Sequence, residues 1–328
     1  MRAPINPSDS ILNCPDEEPN PHHLPDPCPP PSRRSIIEQI IDAYPELNRD
    51  LRFFPLGVEN PMLLSQEQID HYNEKGYIAP IDVLDAEQIG AIREYFDGLL
   101  PKALDAGWDS YEITDWHKTC RGVWDIVTRS EILDYVQDLL GPTLILRNSS
   151  CFIKMPGDGK RVSWHQDASY WPISPSKVVS AWLAIDDVDS ENAPLQIIPG
   201  SHLHAQLPFN ESTSEENNVL NQTVKNPEQY GDGPVALELK AGQMSLHSDW
   251  VLHGSDVNRS NRRRCGLAMR YLSSDVRAYN GWNENSIVCR GEDPSGHWAN
   301  HPRPPGEVIP RKESKEPPLS HDWTEKSN

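Results

Sequence analysis

The chain changes its pattern once, near Leu144, and that switch limits the fold more than any other feature. Before it come helical signatures. SIIEQIIDAY sets Ile36, Ile37, Ile40 and Ile41 at helical spacing behind Ser35 as N-cap. SQEQIDHYNEKG opens with Ser65 and Gln68 in capping-box register and stops at Gly76. Further helices are predicted from Asp85 and from Ser130 to Gly141, with GYIAPIDVL as a short strand after the second helix. After Leu144 the runs LILRNSSCFIK, VVSAWLAIDDV, LQIIPG, VALELKAGQMSL, WVLHGSDV and RCGLAMRYLSS are β-rich and separated by Gly, Pro, Asn and Asp. Helices first and then many short strands, without βαβ alternation, predict an α+β fold around an antiparallel barrel or double sheet.

Proline sets the limits of the folded body. Of 31 prolines, ten fall in residues 1–34 and seven in 290–328. Such segments bury too little apolar area to offset their ordering entropy. Residues 1–34 and 292–328 are therefore expected to be extended or draped tails around a body at 35–291. A formal charge of −19 argues against nucleic acid and anionic membranes as partners. Mean hydropathy is −0.63 and no run of 18 apolar residues occurs, so no spanning helix is expected. The start lacks a secretory h-region and the end is no peroxisomal address. The six cysteines (14, 28, 120, 151, 265 and 289) form no C-x-x-C, which favours reduced thiols and a cytoplasmic protein.

The chemistry is concentrated at Trp164-His165-Gln166-Asp167. On an extended segment residues i and i+2 face one side, so the His165 imidazole and the Asp167 carboxylate converge. A third ligand from a later strand would complete the 2-His-1-carboxylate triad that holds Fe(II) with open positions. H-x-[DE] alone is weak: 12 histidines and 49 acids in 328 residues predict about two chance matches. The second match is His247-Ser248-Asp249, and either could be a polar turn. Only the first is followed, about 85 residues on, by a separate strand with another histidine, His253. If the NRSN turn after it closes a hairpin, Ser255 faces Arg264 and His253 faces Gly266. By the same parity, Arg264 rather than Arg263 shares a face with Gly266 and Ala268.

WHQD at 164–167, PGSH at 199–202, HGSDVN at 253–258 and Arg264 eleven residues after His253 together resemble the phytanoyl-CoA dioxygenase family, over about Leu64 to Leu272. The resemblance implies a double-stranded β-helix (jelly-roll or cupin-like) core at about 143–275, with the N-terminal helices packed on one sheet. It implies an Fe(II)/2-oxoglutarate oxygenase using O2, with His165, Asp167 and His253 as iron ligands. Arg264 then matches the partner of the distal 2-oxoglutarate carboxylate, with the Ser255 hydroxyl beside it. Asn148 is expected to contact the oxo acid. Trp182 lies near a pocket tryptophan of the family, although a core aromatic is an equal reading. Lys154 is expected to be solvated or at the pocket rim, and His202 and His247 to be structural. Tyr170, Trp171 and Arg270 could face substrate.

The implied reaction hydroxylates an unactivated C–H of a small metabolite or natural-product intermediate, releasing succinate and CO2. Asp167 fills the position that halogenating relatives leave small, which favours hydroxylation; desaturation and ring closure share its first step. An acyl-CoA substrate is the alternative, with Lys154, Lys160 and Arg161 as its basic cluster. Two other classes stay open: a zinc hydrolase and a non-catalytic metal-binding protein. A monomer or homodimer is expected.

Overall fold

The structure is a computed structural model that describes residues 42–312. The tail at 1–34 and nearly all of the helix expected from Ser35 lie outside the described residues. So does the end of the chain beyond 312.

Four α-helices lie in the N-terminal part of the described residues, with one strand between the first two: α1 Gln66–Lys75, α2 Ala86–Asp105, α3 Arg121–Val127 and α4 Ser130–Leu140. The expected capping box of Ser65 with Gln68 forms, and the helix start at Asp85 proves to carry a second one, Asp85 with Gln88. Helix α1 stops at Gly76 because the chain turns there into φ +87°, a conformation that favours glycine. Helix α2 buries Ile89, Ile92, Phe96, Leu99 and Leu100, an i, i+3, i+4 stripe. The short α3 has no periodic stripe long enough to mark it in the sequence.

The strands are β1 Tyr77–Asp82, β2 Leu144–Lys154, β3 Val162–His165, β4 Ile173–Ser174, β5 Val178–Ala184, β6 Leu195–Ile198, β7 Asn210–Glu211, β8 Gln222–Thr223, β9 Val235–Leu237, β10 Gln243–Ser248, β11 Leu252–Ser255, β12 Arg264–Leu272, β13 Arg277–Ala278 and β14 Ile287–Arg290. Six of them form a sheet in the order β1-β10-β5-β12-β2-β14, and four form a second, β3-β11-β6-β9. All pairings are antiparallel. This is the jelly-roll expected from the resemblance. The strips β4–β13 and β7–β8 are separate two-stranded ribbons.

Alternation gives the six-stranded sheet two unlike faces. Leu144, Leu146, Cys151, Ile153, Ala181, Leu183, Met244, Leu246, Cys265, Leu267 and Met269 point outward and join the helix stripes in one apolar core. Each fully buried Leu, Ile or Phe there contributes roughly 1.5–3 kcal/mol. The opposite parity carries Ser150, Phe152, Lys154, Ser180, Trp182, His247, Arg264, Ala268 and Arg270. That face meets the four-stranded sheet and holds the polar side chains.

The hairpin expected between Ser255 and Arg264 does not form. Strand β11 pairs with β3 and β6, and His253 stands opposite His165 rather than Gly266. Strand β12 pairs instead with β2 and β5. Residues 256–263 cross from one sheet to the other, fixed by Asn258 Nδ2, which donates to Lys154 O (3.1 Å) and Arg262 O (2.7 Å). At the far end, residues 292–312 are draped over the body. Trp108 Nε1 donates to Pro310 O at 2.6 Å, and Glu307 Oε1 accepts from Gly122 N at 2.7 Å. No helix among the described residues is long and apolar enough to cross a membrane.

Candidate metal centre and its two cavities

His165 ends β3, Gln166 stays extended, and Asp167 opens a 3-10 turn, Asp167–Tyr170. The two-residue repeat of the extended backbone therefore turns His165 and Asp167 inward. Gln166 turns the other way, where Nε2 donates to Ala205 O (2.9 Å) and Trp250 O (2.7 Å) and Oε1 accepts from Leu207 N (2.7 Å). Arg49 braces the turn from behind by donating to Ala168 O and Trp171 O. Pairing of β3 with β11 adds His253, its ring centroid 4.1 Å from that of His165.

One ligand atom from each of His165, Asp167 and His253 lies within 4.8 Å of the others. Asp167 Oδ1 is 3.5 Å from His165 Nε2 and 3.9 Å from His253 Nε2. The imidazole tautomers follow from their partners. His165 Nδ1 meets Ser163 O at 2.8 Å and His253 Nδ1 meets Val251 O at 2.9 Å. A carbonyl oxygen only accepts, so each Nδ1 carries a hydrogen, and in the neutral ring Nε2 is the nitrogen whose lone pair is free for a cation. Burial and the neighbouring His165 hold the His253 pKa well below the usual imidazole range, so the ring is neutral. Burial pushes the Asp167 carboxyl up, but Arg270, His165 and His253 outweigh it and hold the group well below the usual carboxylate range. Its second oxygen, Oδ2, faces Arg270 Nε at 3.5 Å and Ser180 Oγ at 3.4 Å. Two imidazoles and one carboxylate, each oriented by a second partner, are a donor set that could hold a divalent ion such as Fe(II).

The inner cavity lies between the sheets and is lined by His253, Ser255, Arg264, Trp182 and Phe152, among others. Arg264 donates from Nη2 to Ser255 Oγ at 3.4 Å, so the expected pair meets across the two sheets rather than along a hairpin. Among the described residues no carboxylate reaches ion-pair distance of Arg264, and its Nε is buried without a partner. Burial pulls its pKa down to about 10, which leaves the guanidinium charged at neutral pH. Arg262 and Arg263 point elsewhere, to Asp189 and to Asp186 with Asp97. Trp182 sits at the wall, where a Cβ on Gly266 would come within 2.0 Å of its Cζ2.

Lys154 is fully buried, which corrects its placement at the rim. The β2–β12 register sets it opposite Arg264, and Nζ donates to Asp256 O (2.7 Å) and Lys160 O (3.1 Å). Asn148 does not join Arg264 either. It accepts from Arg270 Nη1 at 3.0 Å and donates to Asp115 Oδ1 at 2.8 Å, on the wall of a second cavity of about 430 Å³. That outer cavity is bounded by His165 and Asp167 at one end and by Trp171, Trp282, Arg147 and Asp115 elsewhere.

The rival pair separates. His247 faces the inner cavity beside His253, with ring centroids 5.0 Å apart. Asp249 lies past the end of β10, where its carboxyl is bonded by Ser176. Burial raises that carboxyl to about 7. Sequence reasoning missed Asp115, Arg147 and Trp282, and left the tie between Arg270 and Asp167 unread. Parity along β12 from Arg264 would have put Arg270 on the inner face. Nothing local marks the other three.

Comparison with known proteins agrees with this geometry. A family model described as phytanoyl-CoA dioxygenase (PhyH) matches residues 72–266. Peroxisomal phytanoyl-CoA dioxygenase of Bos taurus is 25% identical over 236 residues, covering 65% of this chain and 70% of its own length. A probable alpha-ketoglutarate-dependent hypophosphite dioxygenase of Stutzerimonas stutzeri is 26% identical over 236 residues, covering 64% of this chain and 79% of its own. Among solved structures, the non-heme monooxygenase ThoJ in its apo form superposes with a TM-score of 0.58 at 25% identity, covering 73% of this chain and 88% of that one.

Proposed function

The chain belongs to the phytanoyl-CoA dioxygenase family, and from that premise we propose that it hydroxylates an unactivated C–H of a small-molecule metabolite or natural-product intermediate. Members of the family are Fe(II)- and 2-oxoglutarate-dependent dioxygenases. When bound, iron and 2-oxoglutarate supply with O2 the oxidising power for this step and release succinate and CO2. The protein's own residues do the rest. His165, Asp167 and His253 would hold the ion. Arg270 and Ser180 hold Asp167 Oδ2, so Oδ1 stays turned to the two Nε2 atoms. Arg264 receives the distal carboxylate of the oxo acid, Ser255 adds a hydroxyl, and Trp182 closes the wall against water. Asn148 acts one step away by fixing Arg270.

The observation that carries this reading is Arg264: a buried guanidinium with no carboxylate partner among the described residues, in the cavity that adjoins the triad. A zinc hydrolase needs the triad but has no use for an unpaired buried cation beside it. The cation suits a dicarboxylate whose far end requires a planar, bidentate partner.

The test needs no substrate. Anaerobic titration with Fe(II) and 2-oxoglutarate should give the weak visible charge-transfer band of the bidentate complex. Asp167→Ala and Arg264→Ala should each lose it at cosubstrate levels that saturate the wild type. Absence of the band, with zinc retained instead, would overturn the oxygenase reading. We place the protein in the cytoplasm as a monomer or homodimer. Its four described cysteines are all unpaired, as a reducing compartment requires. Cell fractionation and light scattering test both statements.

A further inference from the structure

The outer cavity holds four charged groups, and three of them are already answered. Asp167 and Arg270 face each other. Asp115 accepts from Asn148 Nδ2 and Asn285 Nδ2, each at 2.8 Å, and from Ser149 N at 3.3 Å. The fourth, Arg147, has no hydrogen bond and no ion pair within 4 Å among the described residues, and the Asp115 carboxylate acts on it only at longer range. Its Nε is buried without a partner, and its guanidinium carbon lies 3.9 Å over the centre of the Trp282 ring.

Arg147 is there because β2 carries a bulge. Asn148 stands opposite Arg270 and Leu146 opposite Tyr271, so Arg147 has no partner on β12. Regular alternation would send Arg147 outward with Ser149. The extra residue instead turns it to the same cavity as Asn148, while Leu146 and Leu144 keep their places in the helix-facing core. A bulge that re-aims one side chain beside an active site is a recurrent device. The ring of Trp282, 3.9 Å from the guanidinium carbon, restricts the side chain and so lowers the entropic cost of engaging a ligand.

We propose that Arg147 is the anion-recognition residue of the outer cavity, and that the substrate is a small organic carboxylate whose ring-shaped or flat apolar body packs against Trp282 and Trp171. The assignment rests on the oxygenase reading for the identity of the cavity, since His165 and Asp167 line it at the other end. One planar guanidinium suits a carboxylate; a phosphate dianion would call for a second free cation, and Arg270 is committed to Asp167. A cavity of about 430 Å³ is in the range of small-molecule sites.

The experiment uses the anaerobic holoenzyme saturated with Fe(II) and 2-oxoglutarate, so that Arg264 is occupied. Calorimetric titration compares 3-phenylpropanoate with its neutral isostere 3-phenylpropanamide. The wild type should prefer the acid by about tenfold or more. Arg147→Gln should cut that preference to about twofold or less while keeping the visible band of the metal complex. Arg147→Lys retains the charge without the planar fork, so it should keep only part of the preference. If the glutamine variant fails to fold, the lysine variant decides. Equal affinities in the wild type, an unchanged preference in the folded variant, or no binding of either probe at about 10 mM would each overturn the assignment. If the wild type shows no visible band, the oxygenase reading fails, while the acid–amide comparison still judges Arg147 by itself.

Discussion

Lys154 gives the protein a stability that rises with pH through the neutral and mildly alkaline range, well above the pH of ordinary acid denaturation. Its side chain is fully buried, opposite Arg264 in the β2–β12 register. Burial, with the charge of Arg264 added, pulls its pKa down to about 7. In the unfolded chain a lysine titrates near 10.4. Between those values the unfolded chain holds one more proton than the folded one, so stability rises with pH across that window. Below pH 7 both states are charged and the full cost of the buried charge is present. At about 1.4 kcal/mol per pH unit, the interval from pH 6.5 to 9.5 is worth roughly 3 kcal/mol. Lys154→Met removes the titration and also strips a donor from Asp256 O and Lys160 O. The lost donor is independent of pH and cancels when the two proteins are compared at both values. Urea unfolding of wild type and variant at pH 6.5 and 9.5 reads the double difference, with the wild type gaining relative to the variant at the higher pH. A gap constant within about 0.5 kcal/mol would refute the argument that Lys154 is buried beside a second cation.

Gly266→Ala should cost about 1–3 kcal/mol in thermal or urea unfolding and displace Trp182, because the new Cβ meets Trp182 Cζ2 at 2.0 Å on a strand paired along both edges. An unchanged melting temperature together with normal 2-oxoglutarate affinity would show that the ring has room to move. Asp138→Asn should cost roughly 1–3 kcal/mol and leave iron binding intact. The Asp138 carboxylate is buried and accepts from the backbone N–H groups of Met62, Leu63 and Leu64 at 2.9, 2.7 and 2.9 Å. A stability within experimental error of the wild type would remove that account. His247→Ala should retain one iron per chain by metal analysis, and lost iron would make this neighbour of His253 a ligand.

The sequence by itself carried the parts of the site that depend on distance along one strand. His165 and Asp167 converge because an extended backbone repeats every two residues, and the same parity separated Arg264 from Arg263. Helix caps at Ser65 and Asp85 were legible for the same reason, being contacts three residues long. Order and spacing of WHQD, HGSDVN and Arg264 carried the family resemblance, and the resemblance implied the jelly-roll core and the cosubstrate. What the sequence could not supply was partnership. Alternation says which face a side chain takes, but not which strand lies beside it or across from it. The turn after Asn258 resembled a hairpin, yet residues 256–263 cross between the sheets and His253 pairs with His165. Lys154 and Asn148 share a face of β2, but only the closure of the two sheets buries one beside Arg264 and sets the other on the outer cavity. Arg147 depended on an extra residue in β2, and a bulge is a mismatch between two strands that neither strand records alone. Pairing across about a hundred residues of chain is decided by the burial of both sheets together, so these positions became readable only in the folded molecule.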